Sequence, residues 1–145
     1  MHGKAHSLYE QYTYLTESDS PRPFSFRNIL YRPVPYPKIL QVKKKSLFGV
    51  ETIDRSGLDI RVTSLERTLV DVLDRPELCG GWEEIWRSLS TVEYYDLDQL
   101  IEYALLLDNA TTIAKAGFFL EQHKESLMVE EFHLKRLEEF KPKQP

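Results

Sequence analysis

The sequence predicts an α+β fold, a small and mainly antiparallel sheet in the N-terminal part followed by a layer of about five helices. Three observations predict it. Before residue 63, β-branched and aromatic residues form short runs punctuated by proline and glycine. After it, apolar residues recur at helical spacing. The two patterns are segregated along the chain, strands first and helices after, which is the α+β layout. The 145 residues suit a single domain, read as 1–145. With 41% hydrophobic and 12% aromatic residues, the chain has large side chains enough for one core.

The elements follow in order. Leu8, Tyr9, Tyr12 and Leu15 share one helical face with Ser7 as cap, so 1–20 reads as a short helix and a linker that TESDSPRP terminates. In FSFRNILYRPVPYPKILQVKK the aromatic and β-branched residues predict two strands, which Pro33, Pro35 and Pro37 confine to edge positions. LFGVETI and GLDIRVT flank Asp54-Arg55-Ser56-Gly57 as a hairpin, with Ile60 and Val62 inward and Asp59 and Arg61 outward.

Thr63 then opens T-S-L-E, a capping box in which its hydroxyl takes a backbone N–H while Glu66 reaches back. The helix carries Leu65, Leu69, Val72 and Leu73 and closes at Arg75-Pro76. A second begins after Gly80-Gly81 with Trp82, Ile85, Trp86 and Leu89. A third starts at Asp96, carries Leu97, Leu100, Ile101, Ala104 and Leu105, and ends near Asn109. A fourth covers 110 to 123 through Ile113, Gly117 and Leu120; the last carries Leu127, Leu134 and Leu137 before 141–145 fray. The predicted core includes Leu65, Leu69, Trp86, Leu100 and Leu120.

Several function classes are excluded or weakened. No apolar run approaches the ~18 residues of a membrane span. The N-terminus lacks a secretory signal, and the single cysteine, Cys79, leaves no intramolecular disulfide, which fits a reducing cytoplasm. Without an adjacent base, Cys79 reads as a packing residue. Gly80-Gly81 precedes a helix, but Glu77, Glu83 and Glu84 would repel an anion there. His2 and His6 are four apart at a frayed terminus, and His123 and His133 sit among helical charges, so no metal or cofactor is expected. The one enzymatic constellation is a metal-dependent nuclease built from Glu51, Asp59 and Arg61 on the hairpin, where exposed acids are equally what any half-wet sheet shows.

Charge is more informative. The net −4 hides an asymmetry: residues 1–60 hold nine Lys/Arg against six Asp/Glu, and 61–145 hold ten against seventeen. Lys43, Lys44 and Lys45, with Arg27 and Arg32 near Tyr31 and Tyr36, offer phosphate contacts and base stacking, although lysines also guard edge strands. The net acidity predicts that any such binding is weak. The opposite surface would be the acidic helices with Glu83, Glu84, Asp96 and Asp98.

At RVTSLERTLVDVLDRPELCGGWEEIWRSLS, continuing through DLDQLIEYALLLDNATTIAKAGFFLE and faintly back through SLFGVET, the sequence resembles the C-terminal domain of AbiEi-type antitoxins, transcriptional regulators of viral defence. The resemblance covers roughly residues 40 to 122. It implies a non-enzymatic domain that counters a cognate nucleotidyltransferase-like toxin in a type IV toxin-antitoxin system, beside a winged helix that binds the operon's promoter. The family's recurring features fall on Thr63, Glu66, Arg67, Thr68, Leu69, Asp71, Arg75, Pro76, Gly80, Gly81, Gly117 and Glu121. Physically these read as architecture: Glu66 closes a cap, Arg67 pairs with Asp71 one turn on, and Gly117 admits a neighbouring backbone. Two departures stand out: the winged-helix pattern is missing from the residues before SLFGVET, and the sequence stops at FKPKQP where relatives continue. The expectation is an excised or truncated domain, or a short relative whose DNA-binding part is lost or encoded separately.

Overall fold

The structure, a computed structural model, describes residues 11–16, 22–79 and 82–140. Its architecture is α+β, two small sheets followed by helices. Strands β1 (Gln11–Thr16), β2 (Phe24–Phe26) and β3 (Ile29–Pro35) form the first sheet in the order β1-β3-β2, with β1 parallel and β2 antiparallel to β3. Residues 11–16 are therefore strand where the sequence predicts helix. QYTYLT is tyrosine or threonine at four of six positions, side chains that suit a pleated surface, and β3 offers a full ladder of partners. The other residues of that predicted helix lie outside the described ones.

Pro33 and Pro35 sit in the middle strand, not at an edge strand as expected, and the register shows why that is tolerated. Tyr36 donates its backbone N–H to Thr16 on β1, so the odd-numbered positions of β3 direct theirs the other way. On that side β2 pairs only as far as Tyr31, and the missing N–H groups face an open edge.

A short helix, α1 (Lys38–Val42), follows where more strand was predicted. Pro37 is its N-cap and Leu40 its fully buried anchor. It ends in a Schellman motif: Lys45 N–H bonds to Leu40 O at 2.8 Å, Lys44 N–H to Gln41 O at 3.1 Å, and Lys44 is left-handed with φ 56°. Strands β4 (Val50–Arg55) and β5 (Leu58–Thr63) then form the predicted hairpin. Its turn residues Ser56 and Gly57 both have positive φ, and Asp54 Oδ1 accepts the Gly57 N–H at 2.8 Å.

Helix α2 (Leu65–Asp74) is capped by Ser64, not Thr63. Thr63 still pairs with Val50 as the last residue of β5, which moves the turn into the helix one residue along. Gly49 makes that junction close: at φ +66° its carbonyl accepts the Ser64 N–H, and a Cβ there would lie 3.2 Å from both Arg67 Cβ and Ser64 Oγ. A 3₁₀ turn at Pro76–Cys79 leads to α3 (Trp82–Leu89), α4 (Leu97–Leu106), α5 (Ala110–Gln122) and α6 (Glu131–Glu138). Asp96 caps α4 as predicted, while Asn109 does more than end a helix, accepting the Thr111 and Thr112 N–H groups to start α5.

These helices enclose one apolar core around Leu69, Leu73, Ile85, Leu100, Ile101, Phe119 and Leu120, all at most 1% exposed. Leu65 and Trp86, predicted inside, lie half-buried against its rim. Leu40 joins the core from α1, whereas among the described side chains of β1, β2 and β3 only Val34 is buried, apart from that cluster. The first sheet is tied on at its exit instead, where Arg75 Nη1 donates to Pro35 O at 2.9 Å and the Tyr36 ring lies 5.8 Å from the Arg67 guanidinium.

Candidate nucleic-acid interface

Arg67 and Asp71, both singled out in the sequence, lie inside the protein. Arg67 is fully buried and its Nε contacts Asp71 Oδ2 at 3.3 Å across one turn of α2, the pair expected from sequence. Its Nη1 donates to Ser46 O at 2.6 Å and Phe48 O at 2.7 Å, fastening the segment before β4, and its guanidinium lies 5.1 Å from the Tyr103 ring. The Tyr103 hydroxyl closes the network by donating to Asp71 Oδ1 at 2.5 Å. Burial pushes the Asp71 carboxyl above the ordinary aspartate range, against the opposing pull of the Tyr103 hydrogen bond and of Arg67 and Arg75. Burial likewise raises the Tyr103 phenol, helped by the Asp71 charge. The network braces α2 against α4 and the β4 approach, and its groups face each other and not an open cleft.

Glu66 does not close its own helix. Freed by the later cap, its Oε1 accepts the Asp96 backbone N–H at 2.8 Å and so supports the start of α4. Thr63 instead shares a 2.7 Å hydroxyl contact with Thr68, whose Oγ1 also donates to Ser64 O. At Gly117 an added Cβ would meet only Leu137 Cδ1 at 3.8 Å, ordinary contact, so the expected close backbone approach is not there. Gly80 and Gly81 lie outside the described residues, as do His2 and His6, and the side chain of Cys79 is not described. His133 accepts the Glu130 N–H on Nδ1 at 2.9 Å, and the His123 Nδ1–H donates to Phe119 O at 2.9 Å. Both are occupied in local helix structure.

The hairpin register separates the nuclease constellation. Directly paired residues share a face, so Glu51 lies with Val62, Ile60 and Ile53, whereas Asp59 lies with Asp54, Thr52 and Arg61. Glu51 and Asp59 point to opposite faces and cannot hold one metal ion between them. Among the described residues no group of three His, Cys, Asp or Glu is disposed to bind a metal.

The cations behave differently. Between Ser20 and Val50 there is no Asp or Glu, while Arg22, Arg27, Arg32, Lys38, Lys43, Lys44 and Lys45 all occur, and all seven are exposed. The lysine triplet is not on a strand edge as expected, since it forms the C-terminal cap of α1, where cations also favour the helix dipole. Lys43 has a structural task, donating to Leu106 O at 2.9 Å near the end of α4. Arg32 projects from β3 and Arg27 from the β2–β3 turn. The acids of the rival surface stay exposed or half-buried but make local contacts, two of them with cations of the helices. Glu83 pairs with Arg87, Asp98 with Arg136 at 3.2 Å, Glu84 accepts from Ser88 Oγ at 3.2 Å, and Asp96 caps α4.

Two aromatic features escaped the sequence reading. A groove of about 390 Å³ between α3 and α5 is lined by Trp82, Trp86, Ala114, Lys115 and Phe118, with the Lys115 ammonium 4.9 Å from the Trp82 ring centre. The other is the ring-bearing face of the first sheet. Register places Phe24 and Phe26 of β2 on the same side as Tyr31 and Tyr14, with Phe24 and Tyr31 stacked at 4.8 Å and Tyr14 at 6.0 Å from Phe24. The period-two spacing of FSF carried the signal, but the paired strand had to be known before the rings could be put on one face.

In comparisons with known proteins, no family model, curated sequence or solved structure matches the chain. Among the described residues no helix is long and apolar enough to cross a membrane.

Proposed function

We propose that this chain is a non-enzymatic regulatory module of the antitoxin kind, acting in a reducing cytoplasm against a nucleotidyltransferase-like toxin through contact with nucleic acid. The observation that carries the reading is the acid-free segment from Ser20 to Val50, with seven exposed cations in a chain whose net charge is −4. Such a field attracts phosphate locally while the acidic helices repel it, which fixes the side on which a polyanion lands. The engagement of Glu83, Glu84, Asp96 and Asp98 within the helices supports the cationic face over the acidic one as the working surface. The AbiEi-like motif supports the antitoxin part, and its residues serve as internal bracing.

Growth of cells expressing such a toxin tests the proposal. Co-expression of the chain should restore growth, and neutralising Arg32, Lys38, Lys44 and Lys45 to Gln should abolish that rescue while the circular dichroism spectrum stays native. Lys43 is left intact because it holds the end of α4. Rescue that survives the neutralisation but fails on reversal of Glu83 and Glu84 would assign the work to the acidic helices and overturn the proposal.

A further inference from the structure

The geometry points to the ring-bearing face of the first sheet as a stacking platform for unpaired bases of single-stranded RNA. This deepens the nucleic-acid reading above and rests on it. Phe24 is 52% exposed and Phe26 58%, on the sheet face opposite the buried Val34, so burial does not account for these rings. They sit two residues apart on β2 and are joined on the same face by Tyr31, stacked on Phe24, and by Tyr14, a row of rings stepping across three strands.

The β2–β3 turn adds a second observation. It is a two-residue turn with both positions left-handed, Arg27 at φ 50° and Asn28 at φ 63°. Asparagine tolerates this well and glycine better, but arginine has no such ease. The strained position carries the Arg27 guanidinium over the Phe26 ring, 5.2 Å from its centre. A cation this close to an exposed ring can pair with the phosphate that follows a base stacked on the row.

The occupant follows from charge and shape. Three of the four rings, Phe24, Phe26 and Tyr31, lie inside the acid-free segment with its seven cations, which suits a polyanion, while Tyr14 precedes it and Arg32 points to the opposite face of the sheet. A duplex hides its base faces within its own stack, so only an unpaired strand can use the rings. Unpaired strands in cells are chiefly RNA, and the inference commits to RNA. Stacking on rings without base-edge contacts is tolerant of sequence, so mixed sequences should bind alike.

Fluorescence anisotropy with labelled RNA of mixed sequence tests this, set against the same strand in duplex form, a DNA strand of the same sequence, and polyphosphate, which has charge but no bases. The unaltered chain should bind the single-stranded RNA more tightly than its duplex. Phe24→Leu with Phe26→Leu should weaken RNA binding about tenfold or more and leave polyphosphate binding unchanged. Arg27→Gly relieves the left-handed strain, so it should keep or raise the melting temperature while weakening RNA binding by roughly threefold. If the two leucine substitutions leave RNA binding as it was, or the duplex binds as well as the single strand, the platform is refuted. The cationic reading still stands in that case provided neutralising Lys44 and Lys45 weakens RNA and polyphosphate alike. Tighter binding of the DNA strand would overturn the commitment to RNA, and failure of the unaltered chain to bind any of the four probes would overturn both readings.

Discussion

The core of the helical half and the first sheet use aromatic residues in opposite ways, although Trp82, Phe118 and Phe132 on the helices are also exposed. In that core, Tyr95, Tyr103 and Phe119 are at most 2% exposed, Phe119 meets Trp86 and Tyr95 edge-on, and Tyr103 stacks on Phe48 at 5.8 Å while holding Asp71. In the sheet, Phe24 and Phe26 are more than half exposed, and the Phe26 ring meets the Arg27 guanidinium at 5.2 Å. The charges divide in the same sense: Arg67 is sealed with its acid and two carbonyls, whereas Arg22, Arg27 and Arg32 are exposed in a stretch without acids. The difference teaches that composition alone does not locate the core here. The residues that hold the fold and those free to work on a partner have similar chemistry and differ in what surrounds them.

The comparison can be broken first at its most buried point. Arg67→Ala leaves the Asp71 carboxylate without its cation and strips Ser46 O and Phe48 O of their donor, so it should cost about 3–5 kcal/mol in urea unfolding. A loss under about 1 kcal/mol would mean that the network is not the brace described, since surface changes are commonly that small.

Tyr103→Phe removes one hydroxyl and should cost about 1–3 kcal/mol, with a pH dependence that identifies its partner. Because the native Asp71 carboxyl titrates above the ordinary aspartate range, its contribution to stability is full below that range and is lost as pH rises through the native value. The Tyr103 hydrogen bond lowers that native value, so without it the loss extends further. The variant should therefore be more destabilised at neutral pH than below the aspartate range, and equal effects at both would exclude Asp71 as the group involved.

Glu66→Ala uncaps α4 at Asp96 and should cost about 0.5–2 kcal/mol; if Glu66 instead capped its own helix, Asp96 N–H would keep its solution-like amide shift in the variant's NMR spectrum. The smallest effect is expected in the sheet. Phe24→Leu should change unfolding free energy by no more than about 0.5 kcal/mol, as befits an exposed side chain outside the core, and a larger loss would make the sheet a structural element like the helices.

How much of this was legible in the sequence follows the same division. Segments that settle locally read well. Asp96 and Asn109 signal helix starts by their own side chains, the turn at Ser56-Gly57 fixes the hairpin register, and Leu69, Leu100 and Leu120 mark core faces by spacing. Segments decided by a distant partner did not. Residues 11–16 are a strand because β3 supplies a ladder, and α1 forms where Leu40 finds the core. The cap moved from Thr63 to Ser64 because Val50 holds Thr63 in the hairpin, and Glu66 consequently serves another helix. The Arg67–Asp71 pair was legible as one turn of helix, but its burial depends on Tyr103, Phe48 and Ser46, which no local pattern ties to α2. For the site, the lysines, Arg27 and Arg32 could be named from sequence, while the alignment of Phe24, Phe26, Tyr14 and Tyr31 on one face required the strand pairing.

Hydrogen exchange across the whole chain, with and without single-stranded RNA of mixed sequence, tests the division of labour most directly. In the free protein the amides of α2, α4 and α5 should exchange only through global unfolding, and those of β2 and β3 through local opening at lower free energy. Added RNA should slow exchange in β2, β3 and α1 and leave the helical amides unchanged. Equal protection of sheet and core in the free protein, or RNA-induced protection confined to α3 and α4, would contradict the account.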